Sequence, residues 1–140
     1  MIVLDSSFVY ALLDRRDRRH ATAADWYPTI AEGLATTPLV LAEVDYMAGS
    51  RLGSHAQSAF RRDVARGAYL VEWWPSAAAE AVEIAERYAD LAPSLTDSSL
   101  VALAARLETS RIATFDERHF RALRPLSGPP AFTVLPADAR

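Results

Sequence analysis

Short runs of strand-forming residues alternate with helical stretches along this chain of 140 residues, and this alternation restricts the fold more than any other feature. Apolar or β-branched runs that are typical of strands occupy residues 2–4, 34–36, 68–74, 111–115 and 131–135. Strands that alternate with helices are typical of an α/β fold with a mostly parallel sheet. We therefore expect a single α/β domain spanning residues 1–140, with the last few residues frayed.

The helices are predicted between these strands, and capping residues mark their ends. The predicted helices span residues 7–13, 21–32, 38–52, 56–66, 77–89 and 97–108. Thr37, Ser76 and Thr96 are expected to be N-caps, because hydroxyl residues favour that position. Pro38 fits the first helical position, and Pro28 should kink or split the second helix.

The composition excludes several classes of chemistry. The chain has no cysteine, which rules out a disulfide scaffold and a cysteine-ligated metal site. All 15 basic residues are arginine, so a reaction that requires lysine is impossible here. No apolar run approaches the roughly 20 residues that a membrane helix needs, and we expect a cytoplasmic protein without a membrane partner.

Acidic side chains fall where an α/β fold places its functional sites. Asp5 directly follows the first predicted strand, and Asp116 directly follows the fourth. The carboxyl ends of parallel strands meet at one edge of a sheet, where open α/β folds form their sites. Asp97 lies in the first turn of a predicted helix, on the same face as Leu100 and Val101, so it should reach this edge from the core side.

Glu43 is the fourth acid of interest. Leu39, Tyr46 and Met47 lie near it at helical spacing, which predicts a carboxylate in a mostly apolar helix face. A buried carboxylate without a partner is unfavourable, and the chain offers no lysine and no arginine within one turn of Glu43. A bound metal ion is therefore a natural partner for Glu43 and the other acids.

Each acid also has an ordinary structural interpretation. Asp5 could be an N-cap, Asp97 could complement a helix dipole, Asp116 could begin a turn, and Glu43 could pair with a distant arginine. Four carboxylates at one sheet edge would nevertheless repel one another unless a divalent cation neutralised them. Oxygen ligands without cysteine or histidine favour Mg²⁺, with Mn²⁺ as a substitute, over zinc.

Four motifs that each contain one of these acids follow one another along the chain: "MIVLDSSFVYALLD", "PLVLAEVDYM", "TDSSLVALAARL" and "RIATFDERHF". In this order they resemble the motifs of PIN-domain ribonucleases, and most closely those of VapC-type toxins of type II toxin–antitoxin modules. The resemblance implies a PIN-like three-layer α/β/α sandwich with a central sheet of about five short strands. It departs mildly from the family in having Ser6, where a threonine is frequent, and in lacking an alanine after Asp97.

The resemblance also implies a function. It suggests a Mg²⁺-dependent endoribonuclease that cuts tRNA, rRNA or mRNA, inhibits translation, and is neutralised by a cognate antitoxin that binds between the N-terminal helices. A homodimer is expected. The implied catalytic residues are Asp5, Glu43, Asp97 and Asp116; Asp5 and Asp97 would hold the metal directly, and Glu43 and Asp116 directly or through water. Ser6, Arg118 and Arg121 are the expected substrate-binding residues, with Arg124, Arg15, Arg16, Arg18 and Arg19 as further candidates for RNA phosphates.

Two other functions compete with this interpretation. A Mg²⁺-dependent phosphatase or phospho-receiver domain also places an aspartate after a strand, but those proteins usually use a lysine that this chain lacks. A catalytically inactive PIN-like module that binds RNA or a protein partner should have lost one or more of the acids, and all four are present. RNA binding without cleavage would favour this second alternative.

Overall fold

A parallel sheet of five short strands forms the centre of the protein, in a computed structural model that describes residues 1–139. The strands lie in the order β3-β2-β1-β4-β5, and each pairs with its neighbours in parallel. Their bounds are β1 Ile2–Leu4, β2 Leu34–Thr36, β3 Leu70–Val71, β4 Arg111–Ala113 and β5 Thr133–Leu135. The α/β fold and the number of strands predicted from the sequence are confirmed.

Seven α-helices in the described residues 1–139 flank this sheet and complete the three-layer α/β/α arrangement. They are α1 Ser6–Leu13, α2 His20–Trp26, α3 Pro38–Arg51, α4 Ser54–Ala65, α5 Ala77–Arg87, α6 Leu95–Arg106 and α7 Glu117–Ala122. Two short 3₁₀ turns cover Tyr27–Thr29 and Ala89–Leu91. Within residues 1–139, none of these helices has the length and apolar character needed to cross a membrane.

The central strands are buried on both sides, and their register aligns the site-forming ends. All three residues of β1 are fully buried between β2 and β4. Val3 pairs with Ile112 and Leu4 with Ala113, and the Asp5 backbone nitrogen donates to the Ala113 carbonyl at 3.0 Å. The residues that follow β1 and β4 therefore emerge side by side at the carboxyl edge of the sheet.

Some element boundaries differ from those predicted. The third strand covers only Leu70–Val71, because it lies at the sheet edge and has a partner on one side only. The second predicted helix ends at Trp26, and a 3₁₀ turn that contains Pro28 follows it. The nitrogen of Pro28 carries no hydrogen and therefore cannot donate the helical hydrogen bond. The predicted cap at Thr96 is wrong, because α6 begins earlier and Ser94 is its N-cap.

The turn after β5 lies among the last few residues, which were expected to fray, and Asp138 links it to the rest of the protein. Asp138 forms a bidentate ion pair with Arg121, with both N–O distances at 2.8 Å. It also accepts a hydrogen bond from the Val134 backbone nitrogen at 2.8 Å. These contacts fix the turn after β5 against α7, and Arg140 lies outside the described residues.

Candidate active site

Asp5 is a buried carboxylate held by hydroxyl groups. It follows β1 at the start of α1, and only 3% of its surface is exposed. Its Oδ2 accepts hydrogen bonds of 2.7 Å from both Ser7 and Thr114. Burial raises the pKa of Asp5 above its ordinary value, although these hydrogen bonds oppose the shift. The carboxyl group is thus fixed in position without a cationic partner among residues 1–139.

Thr114 connects the first acid to the fourth. It is the buried residue after β4, and its Oγ1 donates to Asp5 while accepting from the Asp116 backbone nitrogen at 2.9 Å. Ser7 has a parallel role, since its Oγ also accepts from the Phe115 backbone nitrogen at 2.9 Å. The ends of β1 and β4 are therefore tied together by two hydroxyl groups.

Asp97 faces the same place from α6. The Ser94 hydroxyl caps this helix by accepting from the Asp97 backbone nitrogen at 3.0 Å, and Asp97 is 8% exposed. Burial raises the pKa of Asp97 to about 7, and the charges of Asp5, Asp116 and, less strongly, Glu43 add to this rise. His119 opposes it. The charges of three other acids therefore act on the Asp97 carboxyl group.

Asp116 and His119 complete this side of the site. Asp116 is the N-cap of α7, and its Oδ1 accepts from the His119 backbone nitrogen at 3.2 Å. The imidazole Nδ1 of His119 lies 2.8 Å from Asp116 Oδ2 and 3.2 Å from Asp97 Oδ2. An N–H at this position would donate to either carboxylate.

Glu43 reaches the site from α3, but its surroundings differ from those predicted. Glu43 is exposed, and the buried face of α3 is instead formed by Val40, Val44 and Ala48. The expectation of an acid within a buried apolar face is therefore wrong, because Leu39 and Met47 are only partly buried and Tyr46 is solvent-exposed. Glu43 Oε1 accepts a hydrogen bond of 2.6 Å from Ser6. This contact holds Glu43 beside Asp5 at the rim of the acid cluster.

The geometry fits a hard divalent cation. Asp97, Asp116 and His119 each offer a ligand atom, and these atoms lie within 4.8 Å of one another. Asp5 raises the pKa of Asp97 by its charge, so its carboxylate borders the same space. Within residues 1–139, no arginine forms an ion pair with any of the four acids. A divalent cation at this place would relieve the repulsion among the carboxylates.

The predicted substrate-binding residues differ in their contacts and in their exposure. Ser6 contacts Glu43 directly, and Arg118 is exposed on α7 two residues after Asp116, with no ion-pair partner among residues 1–139. Arg121 is held by its ion pairs with Asp138 and with Glu117, at 2.8 and 2.9 Å. Arg118 is therefore more available to an incoming phosphate than Arg121.

Ser7, Thr114 and His119 were not among the site residues predicted from the sequence. A signal was available for each of them. Ser7 follows Asp5 by two residues, and Thr114 precedes Asp116 by two, so each lies within the motif that carries an acid. His119 lies one helical turn after Asp116, a spacing that places two side chains on one face.

Comparison with known proteins identifies relatives of this arrangement. Residues 2–124 match the PIN domain family. The chain is 35% identical over 136 residues to ribonuclease VapC26 of Mycobacterium tuberculosis (strain ATCC 25618 / H37Rv), a match that covers 96% of this chain and 100% of that protein.

Solved structures share the fold. The crystal structure of Mycobacterium tuberculosis VapC20, a sarcin–ricin loop cleaving toxin, has a TM-score of 0.79 at 24% identity and covers 84% of this chain and 91% of its own. A toxin–antitoxin complex from Klebsiella pneumoniae has a TM-score of 0.67 at 16% identity, covering 94% and 99%. FitAcB from Neisseria gonorrhoeae has a TM-score of 0.59 at 16% identity, covering 84% and 88%. Since the family match spans most of the chain and the similarity to VapC26 spans nearly all of it, the chain belongs to the PIN domain family and groups there with the VapC proteins.

Proposed function

We propose that this protein is a metal-dependent endoribonuclease that hydrolyses RNA phosphodiester bonds. The observation that carries the proposal is the meeting of Asp5, Asp97 and Asp116 at one sheet edge, with Glu43 at the rim. Full-length similarity to a protein named a ribonuclease supports RNA as the substrate. The retention of all four acids favours a catalyst over a module that only binds RNA.

Asp5 and Asp97 are proposed as direct ligands of Mg²⁺, for which Mn²⁺ can substitute, with Glu43 and Asp116 bound directly or through water. A cation at this site would supply charge neutralisation for the phosphate and activation of the attacking water. The chain itself fixes the ligands, because Ser7 and Thr114 hold the Asp5 carboxylate in one orientation.

The remaining residues of the site would position the substrate. Ser6 keeps Glu43 at the rim, where the carboxylate can orient a water molecule or a ribose hydroxyl. Arg118, which is exposed two residues after Asp116 and has no ion-pair partner within residues 1–139, would bind an RNA phosphate as a planar fork. Arg121 would contribute positive charge only, since Asp138 and Glu117 already occupy its donors.

We further propose that the protein is the toxin of a type II toxin–antitoxin pair that inhibits translation in the cytoplasm. The fold shared with a toxin–antitoxin complex from Klebsiella pneumoniae supports this proposal. A groove of about 750 Å³ between α1, α3 and α4 offers a docking place for an antitoxin helix. Leucine and alanine side chains form part of its lining, and Arg15, Arg16 and Arg51 give it positive charge. A homodimer of single-domain chains spanning residues 1–140 is the proposed assembly.

Cleavage of total bacterial RNA tests the enzymatic proposal. Purified protein free of antitoxin is incubated with the RNA in Mg²⁺ or in EDTA, beside Asp97→Ala as a control. We expect discrete fragments that require both Mg²⁺ and Asp97, and mapping their ends would identify the RNA that is cut. No cleavage by the folded, Mg²⁺-supplied protein would contradict the proposal.

Co-expression tests the toxin proposal separately. The product of the adjacent small gene should form a complex with this protein and relieve growth arrest. Absence of a complex, or continued arrest in its presence, would contradict an antitoxin role for that product.

A further inference from the structure

Arg19 is an arginine without a carboxylate ion-pair partner within residues 1–139. Within residues 1–139, the arginines that form ion pairs with acids are Arg61, Arg66, Arg87, Arg106, Arg111 and Arg121. Arg19 forms none of these pairs. Its guanidinium lies instead over the ring of Phe115, 5.4 Å from the ring centroid.

Phe115 connects this guanidinium to the segment that carries Asp116. It directly precedes Asp116, and its backbone nitrogen donates to the Ser7 hydroxyl, which in turn donates to Asp5. Its ring packs against that of Phe8, with 6.0 Å between centroids, and Phe8 is fully buried. The ring that supports Arg19 is therefore itself fixed by the core and by the site.

The loop that carries Arg19 is also ordered by local hydrogen bonds. The Arg19 backbone nitrogen donates to Asp17 Oδ1 at 2.8 Å, and the Arg16 backbone nitrogen donates to Asp14 Oδ1 at 2.9 Å. Two arginines of this loop lie on different surfaces of the protein. Arg16 lines the groove between α1, α3 and α4, whereas Arg19 lies against Phe115.

An arginine held over an aromatic ring keeps the N–H donors at its edge available for an acceptor. A phosphate is the acceptor that matches this planar fork, and RNA presents one phosphate per nucleotide. We infer that Arg19 binds a backbone phosphate of the RNA strand next to the phosphate on which the carboxylates act. This inference rests on the proposed ribonuclease function.

A purely structural role would have a different consequence. If Arg19 only packed the start of α2 against Phe115, its replacement would lower the melting temperature of the protein. The dependence of RNA affinity on salt concentration would then stay unchanged. A phosphate contact instead displaces counterions, so its loss lowers the dependence of affinity on salt. The salt dependence therefore distinguishes the two roles.

The test measures binding of a short fluorescent single-stranded oligoribonucleotide at several salt concentrations. All proteins carry Asp97→Asn so that the RNA stays intact, and Arg19→Gln is compared with Arg19→Lys and Arg111→Gln. Arg111 begins β4 at the opposite edge of the sheet and pairs with Glu32, so its loss removes the same charge far from the acids. Melting temperatures verify that each variant is folded.

We expect Arg19→Gln to weaken binding several-fold and to reduce the slope of log affinity against log salt by about 0.7, the loss of one phosphate contact. Arg19→Lys should retain the slope, and Arg111→Gln should match the reference protein. With Asp97 restored, Arg19→Gln should raise KM for RNA cleavage more than it lowers kcat, because the contacted phosphate does not react.

The outcomes separate this inference from the function on which it rests. An unchanged salt slope in folded Arg19→Gln, while the parent protein binds and cleaves RNA, would overturn the Arg19 contact alone. If Arg111→Gln reduced the slope of log affinity against log salt as much as Arg19→Gln, the location of the phosphate contact at Arg19 would be overturned. Failure of the parent to bind or cleave any RNA would overturn both the contact and the proposed function.

Discussion

The hydroxyl of Thr114 donates a hydrogen bond of 2.7 Å to the carboxylate of Asp5, although 109 residues separate them in sequence. The same hydroxyl accepts from the backbone nitrogen of Asp116. One buried side chain thus sets the relative positions of two of the acids. It does so because β1 and β4 are adjacent parallel strands that end in register.

Replacement of Thr114 tests this positioning. Thr114→Val keeps the shape of the side chain but removes both hydrogen bonds, so we expect cleavage to fall by about 10- to 100-fold and stability by about 1–3 kcal/mol. Steady-state cleavage and thermal unfolding measure the two effects. Thr36→Val is the matched control, since Thr36 is equally buried but donates to the Leu4 carbonyl. Equal losses of activity in both variants would argue against a specific role for Thr114.

The raised pKa of Asp97 predicts a stability that depends on pH in the absence of metal. The folded protein binds this proton more tightly than the unfolded chain, so the contribution is fully present below pH 3.8 and is lost as pH rises toward about 7. In EDTA at pH 8, Asp97→Asn should therefore melt several degrees higher than the parent, by roughly 1–2 kcal/mol of stability. The difference should vanish near pH 4.

The same substitution should remove stabilisation by metal. Mg²⁺ should raise the melting temperature of the parent, because a ligand that binds only the folded state stabilises it. Asp97→Asn should show little of this rise. A parent that melts above Asp97→Asn in EDTA at pH 8 would contradict the repulsion among the acids.

Two neighbouring serines of α6 should respond to alanine in opposite directions. Ser98 is fully buried, and its Oγ has no hydrogen-bond partner within residues 1–139, so Ser98→Ala should raise the stability by about 0.5–1 kcal/mol. Ser99 donates to the Thr96 carbonyl at 2.7 Å and lies 2.9 Å from the Thr37 hydroxyl, so Ser99→Ala should lower it by about 1 kcal/mol. Denaturant unfolding measures both, and a destabilised Ser98→Ala would show that its hydroxyl is satisfied.

The fold and the convergence of the acids could be predicted because they follow from local patterns. Predicted strands that end at residues 4 and 115 leave Asp5 and Asp116 at one edge of any parallel sheet that pairs them, and in the structure the fourth strand ends earlier, at Ala113. Helix periodicity likewise placed Asp97 on the core side, where it is buried. These inferences depend on where strands end and on helix periodicity, and they do not require knowledge of how the side chains pack.

The surroundings of Glu43 and the supporting hydroxyl groups depend on how the elements pack together. Helical spacing could not tell which face of α3 is buried, because apolar residues occur on more than one side of it. The side chain that holds Glu43 is Ser6, 37 residues away on another helix. From the sequence alone, Thr114 and Ser7 are ordinary strand and helix residues. Their contacts with Asp5 exist only because β1 and β4 pair in the sheet.

The central claim is that carboxylates at this sheet edge make the protein a metal-dependent ribonuclease. The most direct measurement is the single-turnover rate of RNA cleavage by the parent and by Asp5→Asn over a range of Mg²⁺ concentrations, with far-ultraviolet circular dichroism to verify the fold. We predict that the parent rate rises with Mg²⁺ and that Asp5→Asn is slower by at least about 100-fold while remaining folded. Cleavage by Asp5→Asn at the parent rate would contradict the claim.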